Sequence, residues 1–288
     1  MSDPQPGSRA RPIAPPPPVP AITSTANPRV KAVVRLRDRR ERETTGLTIV
    51  DGTRELSRAV DADVEVVEAF IADALVRTDD SRALRDRLLA RDLVTTVSAA
   101  VLERLAFGDR TDGIVGVVRM PHPTLDTIVL PTPPTAAALV AVIEGVEKPG
   151  NLGAILRSAD GAGLDAVVVA DARTDIGNPN VIRASLGTVF SRPVVAASSA
   201  ETVAWLAAHG LAVVAARVDG AAAYASVDLT RPVAIVLGSE ARGLSDAWSV
   251  TPVEAVRLPM LGQADSLNLS AAAAILFYEA VRQRRAGG

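Results

Sequence analysis

Three segments of the chain combine glycines with polar side chains of the kind that bind and orient a ligand. The segments are 148–157, 236–243 and 256–270, and their chemically useful side chains are Asn151, Arg157, Glu240, Ser266 and Asn268. Amides and a hydroxyl offer directional hydrogen bonds, a guanidinium offers a positive fork, and a carboxylate offers a negative acceptor. Together these groups indicate a site for a polar or charged ligand.

The first segment follows an apolar run and leads into a predicted helix. Gly150 and Gly153 permit close backbone approach, and Asn151 is a candidate N-cap. Arg157 lies among core-like neighbours, where a charge is costly unless it has a partner. An ordinary turn with a capping Asn and a surface Arg fits the same residues.

The second and third segments also follow apolar runs. Gly238 would let a ligand approach the backbone, Glu240 offers a carboxylate, and Gly243 gives a second turn position. A plain glycine-containing connection, capped by Ser or Glu, fits that segment too. In the third segment Ser266 and Asn268 both lie at a helix start. One such residue suffices to cap a helix, so the other is available to a ligand.

The elements that must position these segments follow from the hydrophobic pattern after residue 138. Predicted strands are Leu139–Glu144, Ala166–Ala170, Leu211–Ala215, Val233–Leu237 and Ala255–Leu258, and predicted helices are Leu152–Ala162, 179–186, Thr202–His209 and 267–284. Continuous apolar strands alternating with helices are typical of a mainly parallel sheet covered on both faces. Ligands of such α/β sheets bind at the carboxyl ends of the strands. We therefore expect the site in the loops after residues 144, 215, 237 and 258.

The chain before this region divides into three parts. Residues 1–27 are rich in Pro, Ser, Ala and Arg, which predicts a disordered tail. Residues 28–119 alternate short strands and helices and predict a small α/β domain. Residues 120–138 hold several prolines and predict a linker, in which Thr127–Leu130 could form a short strand. The parallel-sheet domain then occupies residues 139–288.

The small domain carries a strongly basic run at residues 29–43, with a rough helical stripe of apolar residues. Its candidate RNA-binding side chains are Arg29, Lys31, Arg35, Arg39, Arg40 and Arg42. A solvated helix face with internal ion pairs fits the charge pattern, and so does a helix that contacts phosphates.

Composition excludes several kinds of chemistry. There are no cysteines, which rules out disulfides, zinc–thiolate sites and Cys nucleophiles, and the only histidines are His122 and His209. Neither a phosphate-binding G-x-x-x-x-G-K-[ST] loop nor a well-placed G-x-G-x-x-G is found. Net charge is −2, so any anion-binding surface must be local. No stretch approaches the roughly 20 apolar residues of a membrane span, so we expect a cytoplasmic protein without a membrane partner.

The three segments resemble the three motifs of the SpoU/TrmH family of the SPOUT superfamily. The first matches Asn-x-Gly-x-x-x-Arg, the second Gly-x-Glu-x-x-Gly and the third Leu-Pro-Met followed by Ser-Leu-Asn-x-Ser. The resemblance runs from about residue 139 to 284, and residues 28–118 resemble, less specifically, a ribosomal-protein-like substrate-binding domain. Two positions depart from the family pattern: Ser239 replaces a common Asn, and Asp51 replaces a common Glu.

This resemblance implies a fold, a cofactor and a partner. The fold is a parallel-sheet domain with a deep trefoil knot, a rare feature that periodicity cannot reveal. The cofactor is S-adenosylmethionine, held by residues that match the family's pocket: Ala215, Leu237, Gly238, Leu258, Met260 and Leu267. The whole segment Ala215–Arg217 is expected to line the same pocket. The partner is a second copy of the chain, in a homodimer whose sites are completed across the interface. No metal is implied.

The resemblance also implies methyl transfer to a ribose 2′-hydroxyl of structured RNA. Arg157 would be the essential residue, as a base or as a group that orients a phosphate and stabilises a developing alkoxide. Asn151, Glu240, Ser266 and Asn268 would orient it and the nucleotide. Ribosomal (23S) RNA is favoured as substrate because tRNA-modifying members often lack the N-terminal domain. Methylation of tRNA and a non-catalytic RNA-binding role are the alternatives.

Overall fold

The structure is a computed structural model that describes residues 22–107, 112–131, 137–239, 241–250 and 252–286. In its N-terminal domain the helices are α1 (Pro28–Arg35), α2 (Arg39–Thr45), α3 (Thr53–Asp61), α4 (Asp79–Leu89) and α5 (Ala99–Leu105). The strands are β1 (Leu47–Asp51), β2 (Val66–Ile71), β3 (Val94–Thr96) and β4 (Ile114–Arg119). They form one sheet of order β1-β4-β2-β3, in which only the β2–β3 pair is parallel.

The beginning of this domain differs from the sequence prediction in two ways. Residues 1–21, most of the predicted tail, lie outside the described residues, but Ile22 is 5% exposed and pairs with Val97. Order therefore begins before residue 28. The basic run forms two helices rather than one, because the Asp38 backbone is extended and its side chain accepts a hydrogen bond from the Arg40 N–H (2.8 Å), which caps α2.

The C-terminal domain is built on a seven-stranded parallel sheet. Its strands are β5 (Leu139–Glu144), β6 (Ala166–Ala170), β7 (Val194–Ala197), β8 (Ala212–Ala216), β9 (Ala222–Ala223), β10 (Val233–Leu237) and β11 (Val253–Arg257). Its helices are α6 (Pro149–Ala162), α7 (Pro179–Ala184), α8 (Ser199–Ala208) and α9 (Leu269–Ala286). Strand order is β7-β6-β5-β10-β8-β11-β9. Every residue of the adjacent strands β5, β6 and β10 is buried, as expected for a sheet covered on both faces.

The predicted α/β class with a parallel sheet is confirmed, and the errors are local. The short strands β7 and β9 were not predicted. The predicted strand at Thr127–Leu130 was wrong, since a 3₁₀ turn at Leu125–Thr127 stands there instead. Within the predicted linker, residues 132–136 lie outside the described residues.

The two domains share a continuous apolar core, which joins N-terminal residues such as Leu56 to C-terminal residues such as Ile182. A partly buried ion pair reinforces the contact: the Arg42 Nε and Nη2 donate to both oxygens of Asp175 at 3.2 and 2.6 Å. Close approach of α3 requires Gly187, whose φ is +82° and where a Cβ would lie 2.8 Å from the Glu55 Cα. The N-terminal domain is thus held rigidly against the segment around α7.

The last helix is fastened to the start of the sheet by Arg284. Its guanidinium donates to the carbonyl oxygens of four residues: Ala137, Ala138, Leu229 and Arg231. Burial lowers the pKa of this guanidinium below its ordinary value. One side chain of α9 therefore joins the backbone leading into β5 to the backbone leading into β10.

Candidate functional site

A cavity of about 860 Å³ lies at the carboxyl ends of β8, β10 and β11. Its walls come from the three loops that follow these strands and from the start of α9. This is where ligands of parallel α/β sheets bind, and the volume suits a ligand the size of a nucleoside derivative. The loops after residues 215, 237 and 258 were expected here. The loop after residue 144 does not line the cavity, but Glu144 before it binds Ser245 in the segment that follows β10.

Five of the six residues assigned to the cofactor by resemblance line this cavity, namely Leu237, Gly238, Leu258, Met260 and Leu267. Ala215 does not. Side chains alternate along a strand, and Ala215 is fully buried with Val213 and Trp248 on the other face of the sheet. Its neighbours Ala216 and Arg217 line the cavity instead.

A tight loop after β10 forms one wall of the cavity. Ser239 and Gly243 exchange two backbone hydrogen bonds of 3.0 and 2.9 Å. This closure explains Gly238, since a Cβ there would lie 2.2 Å from the Gly243 carbonyl carbon. The glycine is needed for the loop's own contact, whereas the sequence suggested contact with a ligand. Glu240, which the sequence assigned to the site, lies outside the described residues.

Glu144 at the end of β5 anchors the same loop. It is 4% exposed and accepts hydrogen bonds from the Ser245 N–H (2.8 Å) and Oγ (2.6 Å) and from the Ser199 Oγ. A buried carboxylate is stable only with such donors. The sequence presented Glu144 only as the last residue of a predicted strand. Its position at a strand end was the available signal for this anchoring role.

Two polar side chains also line the cavity: Arg217, which the resemblance placed in the pocket with the segment Ala215–Arg217, and Asp219, which sequence reasoning missed. Arg217 and Asp219 form a bidentate ion pair, with both N–O distances 2.9 Å. The Arg217 hydrogen bond lowers the pKa of the exposed Asp219 carboxyl. Both residues follow the carboxyl end of β8, the position that predicts a ligand contact in such a sheet.

Asn151 and Asn268 come together from the first and last motifs. The Asn268 Nδ2 donates to the Asn151 Oδ1 at 3.2 Å. The prediction that Asn151 caps its helix was wrong: α6 begins at Pro149 after the cap residue Lys148, so Asn151 lies inside the first turn. Asn268 caps α9 by accepting from the Ser270 N–H (3.0 Å), while Ser266 lines the cofactor-sized cavity.

Arg157 stands apart from these groups. It is exposed, and its side chain makes no hydrogen bond or ion pair with any residue in the described part of the chain. It lines a second cavity, of about 510 Å³, that includes none of the residues of the first. Its core-like neighbours face inward while Arg157 faces solvent. One chain therefore does not assemble Arg157 and the cofactor residues in one cavity.

The basic run is mostly engaged in contacts within the protein. Arg42 is 6% exposed and bound to Asp175, so its assignment to RNA was wrong. Arg29 pairs with Glu68 and Arg39 with Glu43, while Arg35 lies 3.4 Å from Glu41. Lys31 and Arg40 are exposed. The pattern fits the alternative of a solvated face with ion pairs better than a phosphate-contacting helix.

The residues of the larger cavity suit S-adenosylmethionine. Leucine and methionine side chains offer an apolar wall for an adenine ring, and Arg217, Asp219 and Ser266 offer charges and a hydroxyl for the polar parts. Among the described residues no cluster of three or more His, Asp or Glu could hold a metal ion. No helix in the described part of the chain has the length and apolarity to cross a membrane.

Comparison with known protein families agrees with this fold and site. A model of the SpoU rRNA Methylase family matches residues 138–278, and a model of the MRM3-like substrate binding domain matches residues 27–116. The chain is 33% identical over 266 residues to the 23S rRNA (uridine(2479)-2′-O)-methyltransferase of Streptomyces viridochromogenes, covering 88% of each protein. It is 30% identical over 262 residues to the Bacillus subtilis 23S rRNA (guanosine(2553)-2′-O)-methyltransferase RlmP, covering 89% of this chain and 97% of that protein.

Solved structures lead to the same class. A crystal structure of an RNA 2′-O ribose methyltransferase superposes with a TM-score of 0.78 at 42% identity, covering 92% of this chain and 99% of that one. AviRb from Streptomyces viridochromogenes, in complex with AdoMet, superposes with a TM-score of 0.81 at 30% identity, covering 91% and 100%. The fold and site define a methyltransferase of the parallel-sheet type. The chain belongs to the SpoU rRNA methylase family.

Proposed function

We propose that this protein transfers a methyl group from S-adenosylmethionine to a ribose 2′-hydroxyl of ribosomal RNA, with 23S rRNA as the substrate. The observation that carries the proposal is the cavity at the carboxyl ends of β8, β10 and β11, lined by the residues of the second and third motifs. Its likeness to the AdoMet-bound AviRb structure supports the choice of cofactor. The two 23S rRNA methyltransferases that match nearly the whole chain support the choice of substrate.

S-adenosylmethionine supplies an electrophilic methyl group on its sulfonium. The chain's task is to hold the ribose in line and to make its weakly nucleophilic 2′-hydroxyl reactive. Arg157 is the group we assign to this task. A guanidinium stays protonated under ordinary conditions, so its natural role is to stabilise the negative charge that develops on the 2′-oxygen and to orient a phosphate. The Asn151–Asn268 pair would hold the surrounding loops in register.

We further propose that the active enzyme is a homodimer. Arg157 and the cofactor cavity lie in separate places on one chain, so a second copy is needed to bring an Arg157 to each cofactor. The exposed Ile275 (38%) and Tyr278 (52%) of α9 offer apolar surface for such an interface. A trefoil knot in the C-terminal domain and a cytoplasmic location complete the proposal.

The direct test is a methyl-transfer assay with radiolabelled S-adenosylmethionine and unmodified 23S rRNA transcribed in vitro. We expect label in 23S rRNA, at a nucleotide whose 3′ bond then resists alkaline cleavage. Arg157→Ala should bind the cofactor normally in calorimetry and lose most turnover. Label in tRNA but not in 23S rRNA would favour the tRNA alternative. Near-normal turnover by Arg157→Ala would contradict the role of that residue.

A further inference from the structure

The second cavity, of about 510 Å³, lies where the N-terminal domain meets α6. Its walls carry three arginines: Arg54 and Arg58 from α3, and Arg157 from α6. The basic run at residues 29–43, which charge alone singled out, contributes nothing to these walls. The structure therefore places the positive charge nearest to Arg157 on a different helix from the one the sequence indicated.

These arginines form no ion pair in the described part of the chain, although Glu55 beside Arg54 on α3 supplies some negative charge nearby. Asp160 is the one carboxylate among the residues described as lining the cavity, and no ion pair joins it to any of the three within the described part of the chain. Arg58 donates one Nη1–H to the Leu186 carbonyl at 2.6 Å, which leaves its other donors available. Arg54 is exposed and donates no side-chain hydrogen bond to another described residue. The cavity is thus positive and rich in unused N–H donors.

The backbone at Leu186 and Gly187, in the left-handed region, lies against α3 and fixes its position. Leu186 adopts φ +56°, which is rare for a bulky residue, and its carbonyl is the one that Arg58 binds. Gly187 follows at φ +82°, with α3 directly against it. Backbone strain of this kind persists where the surroundings hold it and is concentrated at functional positions. Arg54 and Arg58 are consequently held at a set position beside α6.

We propose that Arg54 and Arg58 bind the RNA phosphodiester next to the ribose that Arg157 addresses. The inference rests on the proposed function and adds to it the residues that bind the backbone of the RNA substrate. Guanidinium groups match phosphate oxygens through paired N–H donors. The exposed Arg54 and the half-buried Arg58 form no ion pair with a described carboxylate, so a phosphate would not have to break one. The N-terminal domain would act as a clamp beside the reacting ribose, where its two arginines share a cavity with Arg157.

The test compares Arg54→Gln with Arg91→Gln in the full-length protein. Arg91 is an exposed arginine of the same domain that lines neither cavity, so it matches the change in charge. Filter binding to the 23S transcript is measured over a series of salt concentrations. We expect Arg54→Gln to bind about tenfold more weakly and to flatten the salt dependence by about one unit of slope, as for one lost phosphate contact. In turnover, KM for RNA should rise while kcat changes little.

Calorimetry with S-adenosylmethionine should give unchanged affinity for both variants, which separates RNA contact from damage to the fold. Equal RNA affinity and equal salt slope in the two variants would overturn the inference. So would binding of inorganic phosphate that Arg54→Gln abolishes while RNA binding stays intact, since the cavity would then serve a free anion. A wild-type protein that methylates no RNA would contradict the proposed function itself, a separate outcome visible before any variant is made.

Discussion

The Asn268 Nδ2 donates a hydrogen bond to the Asn151 Oδ1 across 3.2 Å, and so connects the first helix of the C-terminal domain to its last. The same Asn268 accepts from the Ser270 N–H and caps α9. One side chain thus serves two purposes that substitution can separate. The helix start beside Ser266 and Leu267, which line the cofactor-sized cavity, depends on both.

Asn268→Ala should remove both contacts, and Asn268→Ser should remove only the bridge to Asn151. Serine caps helices about as well as asparagine but is too short to reach Asn151. We expect the alanine variant to lose about 1 kcal/mol of unfolding free energy in urea denaturation and the serine variant to lose little. Both should lose methyl-transfer activity. A serine variant with normal turnover would show that the bridge has no part in catalysis.

Arg42→Ala should destabilise the protein strongly. It removes the hydrogen-bonded cation of Asp175 and the side-chain donor to the carbonyls of Leu36 and Arg37. Removing one partner of a fully buried pair costs about 3–5 kcal/mol, and because Asp175 is 21% exposed we expect a loss at or below the lower end of that range. Urea denaturation measures this loss of unfolding free energy. Arg40→Ala, on the same helix, is the matched control and should stay within about 0.5 kcal/mol of wild type. Equal stability of the two variants would show that the Arg42–Asp175 ion pair does not stabilise the contact between the domains.

Gly238→Ala should weaken the binding of S-adenosylmethionine. An added Cβ would lie 2.2 Å from the Gly243 carbonyl carbon, so the loop that walls the cavity must open. Gly262→Ala is the control, because nothing lies within 4 Å of a Cβ there. Calorimetry should show a loss of about tenfold or more, about 1.4 kcal/mol, for Gly238→Ala only. Normal cofactor affinity in Gly238→Ala would mean that this loop does not shape the cofactor site.

Asp51→Asn should stabilise the protein at neutral pH. Burial raises the pKa of the Asp51 carboxyl, although its Oδ2 accepts a hydrogen bond from the Phe107 N–H at 2.7 Å. A raised folded-state pKa means that the charged form opposes folding, so stability from this group grows as pH falls through that pKa and levels off below the ordinary carboxyl pKa.

The gain from Asp51→Asn should therefore be largest at pH 7 and shrink toward acid, where the wild-type carboxyl is itself neutral. Thermal denaturation of both proteins between pH 4 and 8 measures it. A gain that stays constant over this range would show that ionisation of Asp51 is not its source.

Sequence patterns predicted the parts of the fold that depend on local periodicity. The fully apolar strands β5, β6 and β10 were recognisable because burial on both faces leaves an unbroken run of apolar residues. The short β7 and β9 carried too few residues for a pattern. Arg42 was misassigned because a run of arginines does not reveal which one faces a carboxylate far along the chain. Arg54 was not predicted as an RNA-binding residue for the same reason, because only the folded structure brings it close to Arg157.

The order of strands in the C-terminal sheet has a consequence for how the chain folds. β5 is the first strand of the domain to leave the ribosome, yet it lies between β6 and β10 in the sheet. Its second edge stays unpaired until β10 has been synthesised, and Arg284 can fasten the residues before it only when α9 has followed. Such high contact order slows folding and prolongs the exposure of an apolar edge strand. During translation, the apolar edge of β5 is therefore open to aggregation until β10 has been synthesised.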